Sequence, residues 1–300
     1  MDADGIRLRV AAWAGQGRGL ALLLPGRTEY LEKYAPVVAQ LTARGFSVAS
    51  LDWRGQGASE RDADVARLGH VGDFAEYQTD LDVLMRWVEG RYGAGGVQLA
   101  VAHSMGGCIA LRAVADGALA TPERRPEALV FSAPMWGLAM PGVGAVLVKG
   151  LARAAVRFGF GRRRARGTSS ETTYVLDAPL EENVLVQDPD VWARFRREAE
   201  AGPELTLGSP TLAWVDAALR EMNALRRADV AGLPPRLLLL GDEEGVVSSS
   251  AIREHASRGF GADLAVIADA RHEPLMEPPN GRIGRDVWSA VDGFLRARAA

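Results

Sequence analysis

A serine in the middle of the chain has the surroundings of a nucleophile. Residues 100–107 read AVAHSMGG, and a helical pattern over residues 108–115 follows them. A sharp turn between a strand and a helix can lift a serine hydroxyl above a sheet, and such a turn needs small flanking residues. Ala102 and Gly106 meet this need on either side of Ser104. The pattern predicts Ser104 as the nucleophile of an acyl-transfer reaction, whereas the bare motif could also be an ordinary helix cap.

The base that activates this hydroxyl must be one of four histidines. His272 follows a predicted strand near the end of the chain, and triads on sheets of this kind run Ser, acid, His in chain order. His103 directly precedes the serine, and we expect its side chain to point away from the nucleophile. His255 lies in a polar helical stretch that predicts a solvated surface residue, and His70 comes too early and is expected to be structural. We therefore predict His272 as the general base.

Three consecutive carboxylates follow another predicted strand, at residues 242–244. One of them must accept the imidazole N–H and hold the correct tautomer of the base. Either Asp or Glu can do this, so the residue types alone do not choose between Asp242 and Glu244. We expect the other carboxylates of this run to be solvated.

Two backbone N–H groups must stabilise the tetrahedral oxygen of an acyl-transfer reaction. The amide of Met105, directly after the serine, is the first candidate. The amide of Arg27 is the second, because Gly26 allows the backbone to approach closely. Pro25-Gly26 taken alone could be nothing more than a turn.

Short apolar runs alternate with helical patterns along the chain, and these elements must position the residues above. Six apolar runs end at turn residues, over residues 19–24, 46–51, 97–102, 128–131, 236–240 and 263–267. Runs this short suit strands that are buried on both faces of a sheet. Helical patterns cover residues 34–44, 73–92 and 285–298, with Asp73 as the expected N-cap of the second. The alternation predicts an α/β fold with a mostly parallel sheet flanked by helices, and residues 6–13 predict an early antiparallel strand.

The alternation stops between residues 135 and 224, where the chain has helical or irregular patterns. We expect residues 135–224 to form a helical cap over the carboxyl edge of the sheet, where α/β folds bind ligands. Residues 1–134 and 225–300 would then form the core. The cap contains a cluster of arginines among apolar residues, namely Arg153, Arg157, Arg162, Arg163, Arg164 and Arg166. Such a segment could contact an anionic membrane surface, or it could be a solvated helix face. We favour the solvated face over direct contact of these arginines with the substrate.

The composition limits the functional classes. The chain has 300 residues, with 35 Lys and Arg against 38 Asp and Glu, and this net charge of −3 gives no reason to expect nucleic acid. The single cysteine, Cys108, excludes an internal disulfide, a CxxC redox site and a Cys-rich metal site. The N-terminus has no basic region followed by an apolar run, and no apolar stretch reaches the ~20 residues of a membrane helix. The sequence predicts a cytoplasmic protein, and any contact with the inner membrane would be peripheral.

These motifs together resemble the α/β-hydrolase superfamily, most closely its monoacylglycerol lipase and bacterial lysophospholipase branch, which is grouped with the serine aminopeptidase-like hydrolases. Residues 25–29 (PGRTE) resemble the oxyanion turn H-G-x-x-E of that branch, with Pro in place of His. Residues 52–59 (DWRGQGAS) are similar to D-x-R-G-x-G-x-S, with Gln56 where His is usual. Residues 102–107 resemble its nucleophile turn. The resemblance covers most of the chain.

The resemblance implies an α/β-hydrolase fold and the hydrolysis of a carboxylic ester through an acyl-enzyme on Ser104, with no metal or cofactor. It also implies the substrate class, a lysophospholipid or a monoacylglycerol. The branch places its acid three residues after the glycine that ends the strand and just before a short hydrophobic pair. Gly241, Glu244 and Val246 fit this spacing, so Glu244 is the expected acid, although Asp is usual there, and Asp242 is the alternative.

Two other functions remain open from the sequence. A peptidase or small-ester hydrolase could use the same triad, although the arginine-rich cap disfavours a pocket for a free α-amine. A catalytically inactive hydrolase fold could only bind a ligand, but this chain fills all three roles of the triad. A lipid or small ester is the expected binding partner.

Overall fold

A computed structural model describes residues 1–93, 96–140, 142–165, 172–258 and 261–298 of the chain. Within these ranges, seven strands form one sheet, namely β3 (Val10–Trp13), β4 (Gly19–Leu24), β5 (Phe46–Leu51), β6 (Leu99–His103), β7 (Ala128–Ser132), β8 (Arg236–Gly241) and β9 (Ala262–Ile267). Their order across the sheet is β3-β5-β4-β6-β7-β8-β9. Only β3 runs antiparallel to its neighbour, which is β5. The predicted mostly parallel sheet is therefore confirmed.

Helices connect these strands and cover both faces of the sheet. They are α1 (Ala35–Ala43), α2 (Ala75–Tyr92), α3 (Met105–Asp116), α4 (Gly142–Arg157), α5 (Tyr174–Asp177), α6 (Pro189–Ala201), α7 (Leu212–Leu225), α8 (Ser249–Ser257) and α9 (Arg282–Arg296). A separate antiparallel pair, β1 (Asp2–Ala3) and β2 (Ile6–Arg7), precedes the sheet. The predicted strand over residues 6–13 is thus split in two at Leu8, which is buried.

Alternate side chains of a strand point to opposite faces of the sheet, and each face has its own apolar core. In β4, Leu22 and Leu24 belong to the core that α2 and α3 cover. Ala21 and Leu23 belong to the core that α1 and α9 cover. Continuous apolar runs are required because both faces are buried.

The structure corrects one expectation about these elements and shifts the boundary of another. Strand β9 is not buried on both faces, because it is the edge of the sheet and Val266 is 42% exposed. Helix α2 is assigned from Ala75, with Phe74 in the N-cap position. Asp73 still caps this end, because its Oδ1 accepts the Ala75 amide at 2.9 Å and its own amide donates to the Glu76 carboxylate at 3.0 Å.

Helices α4 to α7 lie between β7 and β8, and no described residue from 133 to 235 belongs to a strand of the sheet. Isolated β-bridges join this segment to loops of the sheet, between Gly69 and Pro210 and between Leu138 and Val247. The division into a core and a cap over residues 135–224 stays a prediction. Within the described ranges, no helix is long and apolar enough to cross a membrane.

Candidate active site

Ser104 stands alone between β6 and α3, in a turn that only small neighbours permit. Its backbone has φ +50° and ψ −115°, a conformation that non-glycine residues rarely adopt. A Cβ on Gly106 would lie 2.2 Å from the Leu24 carbonyl oxygen, and one on Gly107 would lie 2.7 Å from Pro134 Cβ. The close approach of α3 to these loops therefore requires glycine at both positions and holds the serine at the carboxyl edge of the sheet.

His272 lies in the loop after β9 and reaches this serine. Its Nε2 is 3.1 Å from Ser104 Oγ. The loop is held by two backbone hydrogen bonds to the segment before α6, from the amide of His272 to the Val184 carbonyl (3.2 Å) and from the amide of Glu273 to the Leu185 carbonyl (2.8 Å). The imidazole is therefore fixed at the edge of the same cavity that exposes the serine hydroxyl.

Glu244 is the carboxylate that the structure brings to the imidazole. Its Oε2 is 2.9 Å from His272 Nδ1, and its Oε1 accepts the amides of Val246 and Val247 at 2.6 Å and 3.0 Å. Burial alone would raise the pKa of Glu244, but these hydrogen bonds outweigh it and leave the pKa below its ordinary value. Asp242 is exposed and lies outside this arrangement.

The two candidate oxyanion donors lie in the expected turns. Met105 is the first residue of α3, so its amide has no acceptor within the helix. Arg27 follows β4 in a turn fixed by Gln56, whose side chain accepts from the Thr28 amide (3.0 Å) and donates to the Gly26 carbonyl (3.2 Å). Neither the Met105 nor the Arg27 amide donates a hydrogen bond to any described residue. Both amides are thus free to bind an oxyanion.

A buried ionic cluster behind the base was not predicted from the sequence. Lys33 Nζ donates to Glu29 Oε1 at 2.9 Å and to Glu273 Oε1 at 2.8 Å, and Tyr34 donates its hydroxyl proton to Glu29. The Gly26 amide also donates to Glu29, so the cluster joins the oxyanion turn to the loop of the base. The sequence offers two signals of this cluster, which are the glutamate of the PGRTE motif and the four-residue spacing of Glu29 and Lys33.

The charges of this cluster are set by burial and by Lys33. Burial would raise the pKa of Glu29, but Lys33, His103 and Tyr34 outweigh it and hold that pKa well below its ordinary value. Burial and the neighbouring Glu29 raise the pKa of Glu273. Glu29, His103 and Glu273 have possible ligand atoms within 4.8 Å of one another, as a metal site would. Lys33 already supplies the positive charge between the two carboxylates, so we assign no metal there.

The other three histidines have different surroundings. The side chain of His103 was expected to point away from the nucleophile, but it is buried and lines the cavity, and its ring centroid lies 4.8 Å from that of His272. Burial lowers its pKa to about 4, so the ring is neutral at neutral pH. The prediction that His255 is a solvated surface residue was wrong. His70 is half-buried, and its Nδ1 is 2.9 Å from the hydroxyl of Thr211, the N-cap of α7.

His255 is buried because two large side chains enclose it. Its Nε2 accepts a hydrogen bond from Arg236 Nε at 3.2 Å, and its ring centroid lies 4.1 Å from that of Trp136. Burial and the adjacent Arg236 lower the pKa of His255 to about 3. A polar helical pattern in the sequence could not reveal that this one position faces the sheet.

A cavity of about 340 Å³ opens above Ser104 and His272. Its walls are mostly apolar and come largely from the segment between β7 and β8, including Leu138, Tyr174, Leu185, Phe195, Leu207 and Trp214. This volume is in the range of sites for small organic ligands, and apolar walls with a few polar groups at one end are typical of them. The arrangement can hold a hydrocarbon chain beside a hydroxyl nucleophile.

The arginines of the predicted cap have different surroundings. Arg162 forms ion pairs with Asp62 (2.7 Å) and Asp64 (3.3 Å), and the Arg163 guanidinium lies over the Phe160 ring. Arg153 and Arg157 are exposed on α4. Arg166 lies outside the described residues. The cluster is therefore not one uniform basic surface.

Comparisons with known proteins agree with this geometry. A family model described as serine aminopeptidase, S33, matches residues 15–279. Lysophospholipase L2 of Escherichia coli K12 is 30% identical over 293 residues, covering 91% of this chain and 80% of that protein. A monoacylglycerol lipase of Mycolicibacterium smegmatis is 26% identical over 295 residues, covering 97% and 95%. The crystal structure of Paleococcus ferrophilus monoacylglycerol lipase superimposes with a TM-score of 0.72 at 19% identity, covering 97% of this chain and 99% of that one. The predicted α/β-hydrolase fold is confirmed.

Proposed function

The chain belongs to the α/β-hydrolase family described as serine aminopeptidase, S33, and from that membership we propose that it hydrolyses carboxylic esters through an acyl-enzyme on Ser104. One observation carries the proposal: Ser104 Oγ, His272 and Glu244 form a continuous hydrogen-bonded chain, with links of 3.1 Å and 2.9 Å, beside an apolar cavity. This is the arrangement that lets an imidazole take a serine proton while a carboxylate holds its tautomer.

The proposed reaction has two halves. His272 Nε2 takes the proton of Ser104, and Oγ forms a bond to the acyl carbon. The amides of Met105 and Arg27 stabilise the resulting oxyanion. Collapse of this intermediate breaks the bond to the alcohol, which receives the proton from His272. Water then attacks the acyl carbon of the acyl-enzyme while His272 takes a proton from the water. His272 returns this proton to Ser104 Oγ as the bond to the acyl carbon breaks, which releases the free acid.

We propose a lysophospholipid or a monoacylglycerol as the substrate. Two matched relatives are called lysophospholipase L2 and monoacylglycerol lipase. The apolar walls of the cavity support a single hydrocarbon chain, because its burial is favourable by roughly 0.8 kcal/mol per methylene group. We also propose that residues 135–224 act as a cap, since many of these walls come from that segment.

Substitution of the nucleophile tests this function. We expect Ser104→Ala to lower kcat/KM on a matched lysophospholipid and monoacylglycerol by at least about 10³-fold, because no other group can form the acyl-enzyme. Ser257→Ala, on the exposed face of α8, is the control and should retain the parent rate. A fluorophosphonate should label Ser104. A folded protein that forms no adduct would instead support a ligand-binding function, and preference for an aminoacyl substrate would support a peptidase.

We further propose that helix α4 contacts an anionic membrane. An apolar patch on α4 and the turn after it consists of Leu147, Leu151, Val156, Phe158 and Phe160. Their exposed fractions range from 40% for Val156 to 72% for Phe158. Exposed apolar residues flanked by cations, here Arg153 and Arg157, suit the interface of an anionic bilayer. We also propose a cytoplasmic location, with this contact peripheral to the inner membrane.

Vesicle binding tests the membrane contact. The parent protein should bind vesicles of phosphatidylglycerol more tightly than vesicles of phosphatidylcholine. Leu147→Ser with Leu151→Ser should weaken both interactions, whereas the control Val266→Ser, on the exposed edge strand, should change neither. Arg153→Gln should weaken only the anionic case, by roughly fivefold, since one cation near such a surface contributes about 1 kcal/mol. Equal binding by all variants would contradict the proposal.

A further inference from the structure

The guanidinium of Arg27 lies at the cavity, and no carboxylate in the described part of the chain forms an ion pair with it. Arg27 lines the cavity, and its Nη2 donates to the Gly208 carbonyl at 2.6 Å. Its Nε is buried and has no acceptor in the described part of the chain. The Trp214 ring lies beside the group, 5.2 Å from Cζ. The residue therefore has hydrogen-bonding capacity that the protein itself does not use.

This charge is costly, because no carboxylate among the described residues neutralises it. Moving a cation out of water without a carboxylate is unfavourable. Burial lowers the pKa of Arg27 to about 10, although Tyr77 opposes this shift. The guanidinium still carries its charge at neutral pH. The cavity thus contains a positive charge that an anionic ligand could neutralise.

The other charged groups at the cavity are already matched with one another. Glu29 and Glu273 both bind Lys33 Nζ, at 2.9 Å and 2.7 Å. Glu29 also accepts the Gly26 amide and the Tyr34 hydroxyl, so its two oxygens are occupied. These carboxylates reduce the local positive potential, but none of them forms an ion pair with Arg27 among the described residues. A ligand anion would give Arg27 the ion pair that no described residue provides.

We propose that the Arg27 side chain binds the phosphate of the substrate alcohol, so that the enzyme prefers a lysophospholipid to the monoacylglycerol of the same acyl chain. This inference rests on the proposed ester hydrolysis. A guanidinium binds phosphate oxygens through paired, charge-assisted hydrogen bonds. The backbone amide of the same residue is the proposed oxyanion donor. The Arg27 amide would then bind the ester carbonyl, and the Arg27 guanidinium would bind the phosphate at the other end of the glycerol unit.

Gly69 provides the space that this guanidinium occupies. A Cβ at Gly69 would lie 2.9 Å from Arg27 Nη2 and 3.0 Å from Nε, so the guanidinium packs directly on the glycine backbone. The Gly69 amide donates to the Ser209 carbonyl at 3.1 Å, next to the Gly208 carbonyl that accepts from Arg27. A side chain at position 69 would therefore displace the phosphate-binding group without touching the triad.

The test measures a specificity ratio, which is kcat/KM for a short-chain lysophospholipid divided by kcat/KM for the matched monoacylglycerol. Both substrates are used below their critical micelle concentrations, so membrane contact does not contribute. We expect Arg27→Met to lower the ratio by about 10- to 100-fold, because a hydrogen-bonded ion pair to the phosphate is lost. Arg27→Lys should restore part of the ratio. The control Arg220→Met removes a guanidinium from α7 that is paired with Asp73 and Asp216, and it should leave the ratio unchanged.

Two further measurements keep the inference falsifiable. Gly69→Ala should lower the same ratio, because it displaces the guanidinium. Glycerol 3-phosphate should inhibit the parent enzyme on a p-nitrophenyl ester more strongly than glycerol does, and Arg27→Met should remove this difference. A ratio that stays within about twofold in Arg27→Met would overturn the inference. If the parent hydrolyses neither substrate, the proposed function itself fails; if it hydrolyses both and the ratio does not move, only the role of Arg27 fails.

Discussion

His272 Nε2 lies 3.1 Å from Ser104 Oγ, although the two residues are 168 positions apart in the chain. The strand before Ser104 and the loop that carries His272 belong to different parts of the sheet, with β7 and β8 between β6 and β9. Parallel strands end at the same edge, so loops from distant strands can meet there. The proposed chemistry depends on this shared edge.

The identity of the acid can be tested by two amide substitutions. Glu244→Gln should lower kcat/KM on a p-nitrophenyl ester by about 10³- to 10⁴-fold, because an amide cannot hold the required tautomer of His272. Asp242→Asn should stay within about twofold of the parent, since Asp242 is exposed. The reverse ranking would move the acid to Asp242.

Removal of Lys33 should affect both stability and the pH dependence of the rate. Lys33→Met leaves Glu29 and Glu273 buried without their cation, which should cost about 3–5 kcal/mol in the free energy of unfolding. The uncompensated carboxylates, together with Glu244 and the neutral His103, surround His272 and would favour its protonated, inactive form. The acid limb of the kcat/KM profile should therefore move to higher pH.

The other lysine is the matched control for this experiment. Lys149→Met, on α4, should change neither the unfolding free energy nor the pH profile. A loss of stability in Lys33→Met without any movement of the acid limb would mean that the cluster has only a structural role.

His255 should make the fold sensitive to acid. Its pKa is about 3 in the folded protein and near 6.5 when unfolded, so the unfolded state binds the proton first. Its contribution to stability is fully present above pH 6.5 and is lost as the pH falls toward 3, at up to about 1.4 kcal/mol per pH unit. His255→Gln, which keeps an acceptor for Arg236, should flatten this slope in urea unfolding between pH 6.5 and 5. An unchanged slope would show that other groups control it.

The glycine of the nucleophile turn should not tolerate a methyl group. Gly106→Ala places a Cβ 2.2 Å from the Leu24 carbonyl oxygen, and we expect a loss of at least about 3 kcal/mol in unfolding free energy together with most activity. Gly150→Ala, in α4, meets no atom within 4 Å and should stabilise the helix by about 0.5–1 kcal/mol. Similar thermal unfolding of the Gly106 variant and the parent would refute the close approach.

The sequence was most informative where a local pattern has a single structural solution. Apolar runs bounded by turns located six strands of the sheet, and the small residues around Ser104 indicated the sharp turn that the backbone adopts. Glu244 could be chosen over Asp242 only through a family spacing, because both side chains offer the same chemistry. The structure adds the 2.9 Å distance to His272.

Residues that act through distant partners could not be predicted. Lys33 meets Glu273 across 240 positions, and no local pattern records such a pairing. The burial of His255 depends on Trp136 and Arg236, which come from other elements. For Arg27, the sequence indicated only the backbone amide, because the charges around its side chain depend on how distant parts of the chain fold together.

The bridge that Lys33 makes between Glu29 and Glu273 has an evolutionary consequence. It joins the oxyanion turn to the loop that carries His272 before any substrate arrives. Many side chains of the cavity wall come from the segment between β7 and β8, and they can be exchanged while the backbone carbonyls of Val184 and Leu185 still hold that loop. Descendants of this protein could therefore acquire new acyl preferences through changes in these wall side chains while inheriting the same reaction.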